Sequence, residues 1–423
     1  MSKVINKEMI ETEDKKKLIS NFTSLMSLQS VNYILPLLTF PYLVRILGAE
    51  YFGLLAFATA IITYFKMITD YGFDLSATRK ISKYRDDKEK IIEIFSSVMI
   101  LKGLFFILSL FLLTILIFTF ENFRVNWEIY YFTFAMVFGQ LLFPVWFFQG
   151  IEEMKYITYL QILAKAIFTV LIFILVLTKE DFYLVPIINS IGLIVAGAIS
   201  LYIVITKYKA TLKWQKLDCL KYYFKDSYYI FISSIASNIY SSGAIIILGL
   251  LTSKEVVGYY SMAEKLASAF SGIAQPLSKT IFPYITNKNI EFRNKFFNKF
   301  ISYLAIINLF IFGILFYFSN EILELVFNIS NDMSNIIFKI LIISAYFTFL
   351  NINLTPFIYA NKQDRFLSKL LIYMGILFLP LCYISSLYYG AVGATVGITT
   401  IEILIVFLLI TKVKGKNENK YNQ

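Results

Sequence analysis

A run of polar side chains interrupts an otherwise apolar stretch of this chain. Thr59, Thr63, Lys66, Asp70 and Asp74 follow one another at spacings of 4, 3, 4 and 4 residues, which aligns them on one helical face. At an offset of 205 residues stand Glu264, Ser268, Ser271, Gln275 and Lys279, polar at every corresponding position. A second pair of stripes repeats the pattern: Gln29 and Asn32 correspond to Ser234 and Ser237, extended by Asn238 and Ser241. Ionisable groups deep in a bilayer cost at least ~2.5–3.5 kcal/mol each on insertion scales, so they face a wet cavity or a partner. Asp70, Glu264, Lys265 and Gln275 therefore favour cavity lining. Other readings stay open for their neighbours. Ser and Thr bond their own i−4 carbonyls or serve as close-packing residues, and Lys66, Asp74 and Lys279 can snorkel to the cytoplasmic interface. Lys165 and Glu402, also deep, fit an ion pair within one half of the chain equally well. Histidine is absent, which removes the commonest general base and metal ligand and any His-dependent triad. The chemistry on offer is binding and passage.

The elements that must position these stripes are long apolar segments, read at 18–45, 51–72, 97–119, 129–150, 156–178, 182–206, 227–251, 256–285, 297–318, 333–359, 368–389 and 391–411. Each is near or above the ~20 residues that cross a ~30 Å hydrocarbon layer. The charges between them alternate. Counted with the span ends beside them, the N-terminus and every second connection hold 29 of the 39 Lys and Arg residues, and the opposite connections hold only Arg45, Arg124, Lys179 and Lys254. The positive-inside rule then places both termini in the cytoplasm. The fold class expected is an all-α polytopic membrane protein of twelve transmembrane helices.

Composition agrees. With 58% apolar residues and a mean hydropathy of +0.68, no soluble globule of this size is expected. The net charge of +11 is accounted for by the cytoplasmic connections, and no basic stretch interleaves with exposed aromatics, so no nucleic-acid partner is expected. Cys219 and Cys382 cannot form a disulfide framework. No cleavable signal is read before the first span. The outward connections are short, the longest being 120–128 and 319–332, and an enzyme that joins sugars usually needs a bulkier outward loop. The chain reads as built to move something, without a cofactor.

The longest basic connection, Lys207 to Lys225, separates six spans from six. The expected organisation is an N-terminal lobe (1–206), a cytoplasmic linker (207–226) and a C-terminal lobe (227–423). Besides the stripes, Glu50-Tyr51-Phe52-Gly53 aligns with Glu255-Val256-Val257-Gly258, and Ala58 with Ala263. Six spans per half is an even number, so the repeat is parallel, related by an axis along the membrane normal. Pro36, Pro41, Pro144, Pro186, Pro276, Pro283 and Pro356 punctuate the spans, and each removes a ladder bond and bends its helix.

The wording of the first two spans is more specific. NYILPLLTFPYLVRILGAEYFGLLAFATAIITYFKMITDYGFDLSATRKIS, Asn32 to Ser82, and above all TDYGFDLSATR within it, resembles the Wzx-type polysaccharide flippases. These belong to the superfamily that also holds multidrug and lipid II exporters. WFFQGIEEMKYIT from Trp146, SGAIIILGLLTSKEVVGYYSMAEKL from Ser242 and the Pro276 to Pro283 region extend the likeness over most of the chain.

What the resemblance implies is a V-shaped bundle of two six-helix lobes, whose first, second, seventh and eighth helices line a central cavity. The implied cargo is an oligosaccharide repeat unit on undecaprenyl pyrophosphate, moved from the cytoplasmic to the outer leaflet of a bacterial plasma membrane. It would feed O-antigen, lipopolysaccharide or capsule assembly, with polymerase and assembly proteins and membrane lipid as partners. On that reading the cavity residues are Gln29, Asn32, Thr59, Thr63, Lys66, Asp70, Arg79, Ser234, Asn238, Glu264, Lys265, Ser268, Gln275 and Lys279. Arg79, Lys80 and Arg85 at the cytoplasmic mouth would attract the pyrophosphate, or serve topology alone. No P-loop is present; coupling to H⁺ or Na⁺, as the superfamily implies, would use Asp70 or Glu264. A small-molecule exporter of the same superfamily, and a membrane-embedded glycosyltransferase or polymerase, are the competing readings.

Overall fold

A computed structural model gives the fold. It describes the backbone of residues 2–286, 290–328, 331–361 and 363–421. Side chains are described from residue 35 to 413, except 37, 236, 237, 239–241, 280, 283, 284, 287–290, 294, 329, 330, 362 and 364. Among these residues the chain is helical almost throughout: α1 (Ser2–Asp70), α2 (Phe73–Lys83), α3 (Lys88–Thr119), α4 (Glu121–Arg124), α5 (Trp127–Leu141), α6 (Val145–Gly150), α7 (Met154–Leu175), α8 (Leu184–Thr206), α9 (Leu217–Leu251), α10 (Lys254–Gly272), α11 (Ala274–Thr286), α12 (Ile290–Tyr317), α13 (Ser319–Phe327), α14 (Asp332–Ala360) and α15 (Asp364–Tyr421). Among the described residues, eight helical stretches are long and apolar enough to cross a membrane. This is a multi-pass membrane protein.

Helix lengths explain where the chain turns back. A straight helix of 69 residues would run about 100 Å, several times the thickness of a hydrocarbon layer. The break in α1 falls at Gly48 (φ 74°, ψ 177°), and that in the 58-residue α15 at Gly390 (φ 52°, ψ −133°). Both conformations suit glycine and strain any residue with a Cβ. Gly48 lies between the spans read at 18–45 and 51–72, and Gly390 between those at 368–389 and 391–411. Proline makes the other breaks. Pro144 caps α6 after α5 has ended, and Pro276 stands in the first turn of α11, where its ring would clash with the carbonyl of Gly272, the last residue of α10. The span read at 256–285 is therefore two helices. Pro36, Pro41 and Pro356 lie inside continuous helices.

The chain forms two compact units, Met1–Leu47 with Ile61–Ile235, and Gly48–Ala60 with Ala236–Gln423. The first has an aromatic core built from two sequence blocks. Tyr71, Phe73 and Ala77 of the TDYGFDLSATR block pack with Trp146, Phe147 and Phe148 of the WFFQG block, and Phe95 closes the cluster. The Thr78 hydroxyl donates to the Trp146 carbonyl at 3.2 Å, and Gly150 leaves just enough room for Ile81. These two blocks carry the family likeness, and in space they are one structure.

In the second unit the sequence repeat meets itself. A Cβ on Gly53 would collide with the carbonyl oxygen of Lys254, and a Cβ on Gly258 would collide with the carbonyl oxygen of Ala49. Gly53 and Gly258 are 205 residues apart, and so are Ala49 and Lys254. The contact is reciprocal, as at a two-fold interface where patch i meets j and j meets i. Ala58 and Ala263, the next matched pair, are both fully buried.

Candidate functional site

The second span carries its stripe into both units. Thr59 lies in the second unit, while Thr63, Lys66, Asp70 and Asp74 lie in the first. The Thr59 hydroxyl donates to its own-helix carbonyl of Leu55 at 2.7 Å, the back-bonding that makes hydroxyls tolerable in apolar helices.

Lys66, Asp70 and Asp74 do come together. They line one wall of a cavity of about 440 Å³ within the first unit. Lys102 of α3, Gln140 of α5 and Phe143 just past its end, Gln161 and Lys165 of α7, and Leu193 of α8 complete much of its lining. Asp70 faces inward here. Its carboxylate accepts from the Lys102 Nζ at 2.7 Å, and Lys102 is only 1% exposed. A lysine so buried in an apolar span is stable only beside a countercharge. Lys102 was not singled out in the sequence, although an ionisable residue inside an apolar span is itself a signal. Lys165, read as deep in its span, lines the same cavity.

The cytoplasmic cluster is engaged too. Arg79 donates two hydrogen bonds to Asp226 of α9, at 3.0 and 3.2 Å. Lys80, largely buried, reaches Asp226 at 3.4 Å, donates to the Tyr222 hydroxyl at 2.7 Å and lies 4.2 Å above that ring. Ser76 and Ser227 hydroxyls meet at 2.6 Å. Arg85 pairs with Glu152 at 3.4 Å. Each of the three cations at the expected mouth thus meets a carboxylate, and two of them fasten α2 to α9. Nearby, Tyr223 donates to Glu93 at 3.0 Å, and burial together with that bond pushes the Tyr223 phenol well above its usual range.

In the second unit, Glu264 accepts from Ser268 at 2.9 Å, while Ser268, Gln275 and Lys279 are exposed and Lys265 is half-buried. Ser271 is buried and donates to the Ser268 carbonyl at 3.2 Å, so it leaves the stripe. The break between α10 and α11 interrupts the helical register that joined Ser271 to Gln275. In the first unit's share of α9, Ser234 donates to the Ile230 carbonyl at 2.9 Å. Asn238, on the second unit's share, is half-buried. Glu402, almost fully buried, accepts from the Asn351 amide at 3.3 Å. The side chains of Gln29, Asn32, Ser237 and Ser241 lie outside the described residues.

A helical membrane protein with charged cavity walls and a self-matching repeat is the framework of a transporter fold, and solved structures of that class superpose on it. Over 94% of this chain and 87% of the other, it matches a structure of the lipid II flippase MurJ in an inward closed conformation, at a TM-score of 0.70 and 14% identity. An inward-facing multidrug resistance MATE family transporter of the MOP superfamily matches over 91% of this chain and 96% of its own, at 0.61 and 13%. At such identities the likeness is one of fold.

Sequence relatives are closer. The chain is 31% identical over 411 residues to a putative O-antigen transporter of Escherichia coli (strain K12), covering 95% of this chain and 98% of that protein. A putative O-antigen transporter of Shigella dysenteriae is 27% identical over 398 residues, covering 93% and 99%. Residues 18–288 match the polysaccharide biosynthesis protein family, and the chain belongs to that family.

Proposed function

We propose that the protein is a flippase that carries an oligosaccharide repeat unit on undecaprenyl pyrophosphate from the cytoplasmic to the outer leaflet of a bacterial plasma membrane. The observation that carries this reading is the relationship, along nearly the whole chain, to a protein named a putative O-antigen transporter. The physical task suits such a molecule. An unpaired charge in hydrocarbon costs tens of kcal/mol by idealised solvation, so a pyrophosphate with its sugars needs a polar route while the polyprenyl tail stays in lipid. On this reading the chain crosses twelve times, in two lobes with both termini cytoplasmic, and works by alternating access. Lys66, Lys265 and Lys279 supply positive charge along the route, and Thr63, Ser234, Asn238 and Gln275 offer hydrogen bonds to sugar hydroxyls.

With the inside negative, export of a dianion gains ~4.6 kcal/mol per 100 mV, because each charge is worth ~2.3. Potential alone is then a sufficient driving force. Coupling to H⁺ or Na⁺ would fall to Glu264, or to Asp70 if its bond to Lys102 opens during the cycle. Polymerase and assembly proteins would take the product. A deletion strain tests the proposal: it should lose surface polymer and accumulate lipid-linked repeat units, and both defects should reverse on complementation. A strain that kept its polymer and lost only drug resistance would overturn the reading in favour of a small-molecule exporter.

A further inference from the structure

The connection between α8 and α9 is a strap fastened onto the first unit, and its exposed side is unlike that of a solvated loop. It leaves α8 at Thr206 and turns at Lys209, whose backbone is left-handed (φ 53°). Ala210 then drops into the core of the unit and is fully buried. The residues that follow carry no regular secondary structure until α9 begins at Leu217. Side chains of α3 hold the strap and the start of α9. The buried Ser96 hydroxyl donates to the Thr211 carbonyl at 3.2 Å and accepts from the Lys213 amide at 2.9 Å. Ser97 meets the Cys219 thiol at 3.4 Å, and Glu93 accepts from Tyr223 at 3.0 Å.

Those bonds set the depth of the strap. Ser96 is the residue just before the span read at 97–119, so residues 211–213 lie level with the edge of the hydrocarbon. What the bonds leave outside is apolar and basic. Leu212, Trp214 and Leu217 are 61%, 90% and 74% exposed. Against the expectation that no basic stretch interleaves with exposed aromatics, the exposed Lys213 and Lys216 flank Trp214. Between residues 207 and 225 stand six lysines and a single acidic residue, Asp218.

Large apolar side chains held out at that level are costly in water and favoured in the headgroup zone, where tryptophan concentrates. Lysines beside them keep their stems in apolar surroundings while the amines reach phosphates. A run of positive charge next to a span attracts anionic lipid. A single-stranded nucleic acid would also meet lysines and an indole, but Leu212 and Leu217 offer its bases no ring to stack on. We propose that the strap, residues 209–217, is a docking surface for anionic phospholipid headgroups. Leu212, Trp214 and Leu217 sit at the acyl boundary, and Lys209, Lys213 and Lys216 take the phosphates. On the orientation proposed for the flippase, that leaflet is the cytoplasmic one.

The test uses the full chain in nanodiscs of phosphatidylcholine with or without phosphatidylglycerol, and reads Trp214 as the difference in emission between wild type and Trp214→Phe. With about one-third phosphatidylglycerol, acrylamide should quench Trp214 at least about threefold less than in phosphatidylcholine alone. Phosphatidylglycerol brominated near the top of its acyl chains should quench it by about half. About 1 M salt, where the screening length is about 3 Å, should abolish the difference between the two lipids. Lys209→Gln, Lys213→Gln and Lys216→Gln combined should abolish it too, whereas Lys209→Arg, Lys213→Arg and Lys216→Arg combined should preserve it. Should the glutamine variant fail to insert, the salt titration of wild type carries the same test. Acrylamide quenching indifferent to phosphatidylglycerol, a difference that persists in salt, or no quenching by the brominated lipid would each overturn the proposal. Protection of Trp214 by a single-stranded RNA oligonucleotide in pure phosphatidylcholine discs would overturn it in favour of a nucleic-acid partner. None of these readouts requires transport, so failure here leaves the flippase proposal standing, and a transport-dead protein leaves the strap proposal standing.

Discussion

Breaking the ion pair between Asp70 and Lys102 should reveal how the first unit tolerates charge in its interior. At 2.7 Å and an effective dielectric of about 20, the gross attraction is about 6 kcal/mol. Desolvation of the two ions offsets much of it, but removing one partner leaves the other's desolvation unanswered. Lys102→Met should therefore cost about 3–5 kcal/mol. Asp70→Asn should lie near the low end, about 3 kcal/mol, because Asp74 lines the same cavity and can partly replace it. The double variant removes both charges and should lose well under the sum, giving a coupling of about 2–3 kcal/mol. Trp146, fully buried in the core of this unit, is a suitable reporter. Its emission would be followed through denaturant unfolding in micelles, with Trp127 and Trp214 replaced by Phe. Losses that add to within about 0.5 kcal/mol would mean the two side chains do not interact, and would refute the reasoning.

Asp226→Ala should remove the carboxylate that Arg79 meets and leave Lys80 with the Tyr222 hydroxyl and the Tyr222 and Tyr223 rings. The cost should be about 1–3 kcal/mol, with faster amide exchange over 217–230; unchanged exchange would show that the clamp does not hold α9. Gly53→Val and Gly258→Val should destabilise by similar amounts, about 1–3 kcal/mol each, because their contacts are reciprocal. Free tolerance of either one would contradict the close approach. Cys219 is half-buried and burial raises its thiol above the usual range, so at pH 8 it should alkylate about tenfold more slowly than in denatured protein. Mass spectrometry of the labelled peptide checks this, and equal rates would refute it.

Hydropathy and charge alternation made the helical membrane architecture legible, because a bilayer demands long apolar helices and biases the charge of their connections. The turn at Gly48 was legible as well, lying between two spans that no straight helix could join. The break between α10 and α11 was legible only as a bend at Pro276, not as the end of one helix and the start of another. Its cause is a proline ring acting four residues back on Gly272, whereas hydropathy runs on unchanged through the site. The stripes were visible as periodicity, but periodicity names a face and not what the face meets. Asp70 and Lys102 are 32 residues apart on different helices, so their pairing belongs to tertiary structure. Nothing in the sequence singles out Asp226 among the lysines around it, and it proves to be the anchor for Arg79 and Lys80. The reciprocal glycine contact gives the weak internal repeat a physical meaning that sparse identity alone could not.

Purified protein in sealed vesicles containing a labelled undecaprenyl-pyrophosphate oligosaccharide offers the most direct measurement. A membrane-impermeant reagent added outside reads the glycan exposed on the outer leaflet over time. The flippase account predicts that the exposed share climbs from about half toward completion as inner-leaflet glycan emerges, and faster under a potential that drives anions outward. An exposed share that stays where protein-free vesicles leave it, with the protein folded and correctly inserted, would contradict it.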